Sequence, residues 1–145
     1  MILSGRSINE NMPFEVFNRI KKLINNNKIN KRILNVLILG LTFKENCADI
    51  RNSKVFELLK CFNKNKYKIN CYDPYIKTLN NIKKLKINIV RNLSDSKNND
   101  IIILAVAHNE FKKLGFKKIK DLAVKKSIIY DITNTFINLD KSNRL

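Results

Sequence analysis

At 145 residues the chain has room for one domain, or for one domain and an arm. Its composition, 44% hydrophobic and 28% charged, supplies enough apolar material for a core and excludes wholesale disorder. The net charge of +17 raises nucleic acid or acidic lipid as partners, but the lysines are scattered from Lys21 to Lys125, Arg is the minority cation and no aromatic stacking motif is present.

The crowding with Lys, Asn and Ile, beside few Gly and Pro, is that of AT-rich coding sequence. The charge is therefore read as background, with no nucleic acid and no membrane among the expected partners. No apolar run is long enough to cross a bilayer, and the first residues lack the basic and apolar regions of a signal peptide, so the cytoplasm is the expected location. Three glycines without a GxGxxG string exclude a standard dinucleotide fingerprint. Three cysteines (Cys47, Cys61, Cys71) and one histidine (His108) give neither a disulfide framework nor a standard zinc site.

From Ile8 to about Asn25 the pattern is helical, with Met12, Val16, Ile20 and Leu23 in one apolar stripe. Asn9 or Asn11 is placed to cap it and Pro13 to sit in its first turn. Lying ahead of the first strand, it reads as an amphipathic arm that packs against something outside the core. Asn35 to Leu39 is a continuous apolar run ending at Gly40, as expected of a strand buried on both faces. A polar loop, Leu41 to Asn52, leads to a helix from Ser53 to about Asn63, capped by Asn52 or Ser53. Tyr67–Tyr72 is a second strand stopped by Asp73-Pro74, and a short helix near Leu79–Lys84 precedes a third strand, Ile87–Val90. After a brief turn at Leu93–Lys97 come a fourth strand, Ile101–Val106, helical pieces at Asn109–Leu114 and Lys117–Ala123, and a fifth strand, Ser127–Ile132.

Strands alternating with helices predict βαβ units: an α/β, Rossmann-like three-layer sandwich with a mostly parallel sheet, preceded by the helical arm. In such a fold ligands sit outside the carboxyl ends of the strands, which directs attention to the loops Gly40–Asn52, Tyr72–Ile76 and Ala107–Phe111. In the first loop, glycine backbone is too sparse to cradle phosphate. Lys44 and Arg51 would have to supply positive charge, Phe43 offers a flat face for a base or sugar, and Asp49 is placed to orient Arg51 or Lys44. The bland alternative makes both cations solvated and Phe43 part of the core.

The string GLTFKENCADIRNSKV, residues 40–55, strongly resembles the G-L-(T/A)-F-K-x-(N/D)-x-x-D-x-R-x-S segment of the UDP-glucose/GDP-mannose (nucleotide-sugar) dehydrogenase family. The resemblance continues at Tyr72-Asp73-Pro74-Tyr75, at the run from Asp100 to His108 with Phe111, at Gly5 to Pro13 and at Arg144-Leu145. The Val106-Ala107-His108 string with Phe111 looks most like the branch that oxidises UDP-N-acetylgalactosamine or UDP-N-acetylglucosamine.

This resemblance implies two-domain enzymes that oxidise a sugar C6 alcohol to a carboxylate with NAD, for surface polysaccharide precursors. The chain would be their C-terminal UDP-sugar-binding part: residues 1–32 the end of a central dimerisation or linker helix, residues 33–145 the UDP-sugar-binding domain. Phe43 and Lys44 would contact the UDP-sugar, and Arg51 would approach NAD, which is held mainly by an N-terminal domain absent here. A homodimer through the N-terminal helix is implied as well. No catalytic and no metal-binding residue is assigned. Cys47 is rejected as the nucleophile because it has no adjacent His and the family's catalytic cysteine lies upstream; Cys61 and Cys71 are read as small buried hydrophobes. The family's cation soon after the Asp matched to Asp131 is missing from Asp131-Ile132-Thr133-Asn134. His108 is read as a structural residue capping the Asn109 helix, with a polar contact near the interdomain cleft as the other reading. The first rival function is an inactive remnant or a non-catalytic nucleotide-sugar-binding module, and the second, favoured only by charge, is a small basic nucleic-acid-binding protein.

Overall fold

Along β1 (Leu34–Leu39) every apolar side chain is buried, and the pleat sends them alternately to two faces. Val36 and Ile38 join one core, while Leu37 and Leu39 join another. The first core continues through Ile69, Cys71, Ile101, Ile103, Ile128 and Tyr130. The second continues through Ile102, Leu104 and Ile129. A helix layer closes each face, which makes the three-layer sandwich that the alternation of elements predicts.

The computed structural model describes residues 2–64, 66–76 and 85–136, with backbone alone for residues 2–10. The elements in chain order are α1 (Ile2–Asn26), β1, α2 (Val55–Phe62), β2 (Tyr67–Tyr72), β3 (Ile87–Ile89), a single 3-10 turn at Leu93–Asp95, β4 (Asn99–Leu104), α3 (Asn109–Lys120) and β5 (Ala123–Asp131). The strands form one sheet in the order β3-β2-β1-β4-β5, and every pairing is parallel. The strand order reverses between β1 and β4, so the switch point lies there. The helix expected at Leu79–Lys84 and the Arg144-Leu145 match fall outside the described residues.

Several readings of the sequence need correction. The first helix begins at Ile2, so Asn9 and Asn11 do not cap it and Pro13 lies inside it rather than in its first turn. A proline there forfeits its own N–H, yet the helix runs on because Val16, Phe17, Ile20 and Ile24 bury its far half. The stripe is not an outward docking face: Val16 and Ile20 are fully buried in the domain's own core, with Met12 and Leu23 packed at its edge. Phe17 meets Phe62 edge-on at 4.9 Å, and Phe62 meets Tyr67 at 5.0 Å, which ties α1 to α2 and β2. Lastly, α2 starts at Val55, two residues later than expected, after Ser53 has turned its hydroxyl to accept the Val55 N–H.

β4 starts earlier than its apolar run, at Asn99 and Asp100, both buried. Their polar groups are satisfied in place. The Asn99 amide donates to the Ser96 and Leu122 carbonyls, while Asp100 accepts from Lys31 Nζ at 3.0 Å and from the Asn35 N–H at 2.8 Å. Gly115, at φ +83°, interrupts α3 and yields the two helical pieces read from the sequence.

Candidate functional site

The loop between β1 and α2 leaves the sheet at the switch point, and its first residue must be glycine for two reasons. Gly40 has φ +95°, and a Cβ placed on it would lie 2.6 Å from Val106 Cβ and 2.8 Å from the Val106 nitrogen. The chains after β1 and β4 thus pass each other in backbone contact.

Beyond Gly40 the loop is held by groups from two other strand ends. The buried Asp73 carboxylate, just after β2, accepts the Leu41 N–H at 2.7 Å through Oδ2 and the Tyr75 N–H at 2.8 Å through Oδ1. Oδ2 also lies 3.0 Å from Nε2 of the fully buried His108, which follows β4. The same Nε2 is 3.2 Å from Thr42 Oγ1, whose hydroxyl donates to the Lys44 carbonyl at 2.8 Å. On the other side of the ring, the Asn46 N–H donates to Nδ1 at 2.9 Å. A nitrogen that accepts an N–H carries no proton, so His108 is the neutral tautomer with its hydrogen on Nε2, directed at Asp73. Burial pushes the Asp73 carboxyl up, but the bond from His108 and those from the Leu41 and Tyr75 amides outweigh it and hold the group below its ordinary range.

His108 therefore does not cap α3 with its side chain. The cap comes from Asn46, whose Oδ1 accepts the Asn109 N–H at 2.8 Å while its own backbone sits at φ +57°. The three loops singled out from the sequence do meet, and they meet on Asp73 and His108.

This scaffold presents Phe43, Lys44 and Arg51. Phe43 is 57% exposed, so it is not a core residue. Its N–H bonds the Asp49 carbonyl at 2.7 Å, which closes the loop on itself. Lys44 is exposed, and Thr42 fixes its backbone. Arg51 lies on the surface with its guanidinium bidentate on Asp49, at 3.0 Å for each bond, so the orienting role read for Asp49 is seen for Arg51. The Arg51 bonds hold the Asp49 carboxyl below its ordinary range. Phe43 also borders a cavity of about 270 Å³ at the switch point. Its walls are Met12, Val55, Leu58, Val106 and Ile132, and its polar rim is Thr42, Asn52, Ser53 and Lys54. An apolar slot with a few polar groups and an aromatic lip suits a flat heterocycle or a sugar ring.

At the end of β5, Asp131 is buried and fully engaged. It accepts from the Thr133 N–H and hydroxyl, and from the Thr135 and Phe136 N–H groups, at 2.6–2.9 Å. Its carboxylate shapes its own loop. Among the cysteines, Cys71 is fully buried and its thiol is pushed up by that burial, Cys61 is half-buried and shifted the same way, and Cys47 is half-buried in the loop.

An all-parallel doubly wound sheet with its loops and cavity gathered at the switch point defines a nucleotide-binding class of α/β domain. A family model described as the UDP binding domain of the UDP-glucose/GDP-mannose dehydrogenase family matches residues 37–138. The chain belongs to that family and constitutes its UDP binding domain. The UDP-N-acetyl-D-glucosamine 6-dehydrogenase of Salmonella typhi is 36% identical over 132 residues, which are 91% of this chain and 31% of that protein. The protein of the same name from Pseudomonas aeruginosa is 34% identical, over 99% of this chain and 33% of its own length. The solved UDP-N-acetyl-mannosamine dehydrogenase Cap5O from S. aureus superposes with a TM-score of 0.71 at 26% identity, over 95% of this chain and 30% of that one. The chain thus spans about a third of the length of the curated relatives it matches. Among the described residues no helix is long and apolar enough to cross a membrane.

Proposed function

We propose that this chain is the substrate-binding C-terminal part of an NAD-dependent nucleotide-sugar 6-dehydrogenase, acting in the cytoplasm on a UDP-N-acetylhexosamine to make a surface polysaccharide precursor. The observation that carries this reading is an exposed Phe43 at the lip of the switch-point cavity with the exposed cation Lys44 next to it. Phe43 supplies a flat face to the uracil or sugar. Lys44 supplies the point charge that a pyrophosphate needs. Arg51, braced by Asp49, faces NAD at the boundary with an N-terminal dehydrogenase domain that lies outside this chain. That domain supplies the nucleophile and most of the NAD site, and it carries the hydride chemistry. Residues 1–32 act as the end of the central linker helix, residues 33–145 as the UDP-sugar-binding domain, and the assembly is a homodimer paired through α1. The face left for pairing is the one opposite the buried stripe, where Phe14 is 57% exposed.

Calorimetry with UDP and UDP-N-acetylhexosamines tests the site. Lys44→Ala should weaken UDP about 10–100-fold, the range for losing a charge-assisted hydrogen bond to phosphate. Equal affinity in the variant and the parent rejects the assignment. One observation favours a second reading, a non-catalytic nucleotide-sugar-binding module or inactive remnant: no cation stands in Asp131-Ile132-Thr133-Asn134, and the Asp131 carboxylate is spent on its own loop. Complementation of a strain lacking the full-length enzyme, with the N-terminal domain supplied separately, separates the two readings.

A further inference from the structure

We propose that His108 is a positioning residue for the Phe43–Lys44 segment, which it holds as a neutral imidazole by accepting the Asn46 N–H at Nδ1 and donating from Nε2 to Asp73. It is one side chain joining three strand ends. Its Nε2 side bears on the start of the loop, because Asp73 also accepts the Leu41 N–H. Its Nδ1 side bears on the loop three residues beyond Phe43. The segment that presents Phe43 and Lys44 is thereby clamped at both ends through a fully buried group. The ring itself has little freedom: Tyr75 lies 4.9 Å from it, Phe111 lies 5.7 Å from it, and it is fully buried.

The clamp has a polarity. Nδ1 faces the Asn46 N–H, so only an unprotonated Nδ1 fits that bond, and the donor side of the ring is the one turned to Asp73. The titratable groups of the surrounding elements are Asp73 and Tyr75 from the turn after β2, the Glu45–Lys112 pair bridging the loop and α3, and Glu110, which accepts the Tyr72 hydroxyl at 2.6 Å. Of these, Asp73 is the one bonded to the ring.

The positioning role rests on the nucleotide-binding reading above, so the test includes a measurement that needs no nucleotide. Two amide side chains divide the functions of the ring. His108→Asn places a carbonyl oxygen where Nδ1 was and keeps an acceptor for Asn46. His108→Gln reaches the Nε2 position and keeps a donor for Asp73. In the full chain, His108→Gln should speed hydrogen exchange of the Asn46 amide about tenfold or more and weaken UDP about 5–10-fold, as expected for one lost hydrogen bond. His108→Asn should leave Asn46 exchange within about twofold of the parent and weaken UDP only about two- to threefold, through the lost Asp73 arm, although both variants lower the melting temperature. A merely structural histidine gives equal effects in the two variants, and that result overturns the proposal. Should His108→Gln fail to fold, nitrogen NMR of the parent's imidazole decides: a bare Nδ1 with a protonated Nε2 at neutral pH supports the clamp, and a proton on Nδ1 overturns it. If the parent binds no UDP, the nucleotide reading fails, and the Asn46 exchange rates still report whether the clamp exists.

Discussion

Asp73→Ala should cost the domain about 2–3 kcal/mol. The substitution strands the buried Leu41 N–H and leaves the His108 Nε2–H only the longer contact to Thr42 Oγ1 at 3.2 Å, while the Tyr75 N–H belongs to a residue exposed enough for water to replace its partner. Each buried orphan carries a desolvation penalty of about 1–3 kcal/mol. Asp73→Asn keeps one oxygen acceptor and should lose less. The pH dependence has a definite sign. Because the bonds hold the folded carboxyl below its ordinary range, the stability they give is complete above the unfolded-state pKa and is lost as the pH falls through the folded one. Urea unfolding of the parent should therefore show an acid-side loss in that window. Asp73→Asn should remove this share of the loss, and an unchanged acid limb would refute this role of Asp73.

Gly40→Ala should destabilise by about 2–4 kcal/mol, combining the cost of a side chain at positive φ with overpacking against its neighbour. The clash is with Val106 Cβ at 2.6 Å and Val106 N at 2.8 Å. Retreat is blocked because Val106 N–H donates to the Leu39 carbonyl and Gly40 N–H donates to the Tyr72 carbonyl. Gly115 supplies the control. It also has positive φ, at +83°, but nothing lies within 4 Å of its Cβ position. Gly115→Ala should cost only the conformational share, about 1–2 kcal/mol. Matched denaturant curves for the two variants check the difference, and equal losses would remove the steric explanation.

The strands were legible because parallel strands covered on both faces are plain apolar runs, as β1 is. Where a strand opens with polar residues the pattern misleads. Asn99 and Asp100 belong to β4 because Lys31, Asn35 and the Leu122 carbonyl satisfy them, and those partners lie far away in sequence. The stripe on α1 was correctly read as apolar, but periodicity gives the direction of a face and not its neighbour. The neighbour is α2 and the sheet of the same domain. At the site, the string from Gly40 to Val55 located the loop. Spacing could not show that Asp73 and His108 meet inside it, since the contact spans two crossovers of the fold. Each was visible as a polar residue at the end of an apolar strand, a signal that the pattern alone leaves open to several uses.

The central position of β1 has a consequence for how this protein is made. Ile38 is paired with Cys71 on one side and Ile103 on the other, so β1 is made before either of its neighbours and is enclosed only once β4 has followed. Until β4 has been synthesised, β1 has an open edge and a bare apolar face on the side that α3 will cover. Nascent chains that pause between β3 and β4 are therefore the species most exposed to mispairing with one another. The sequence distance between these partners also places refolding with the slower, non-local topologies rather than with helical bundles.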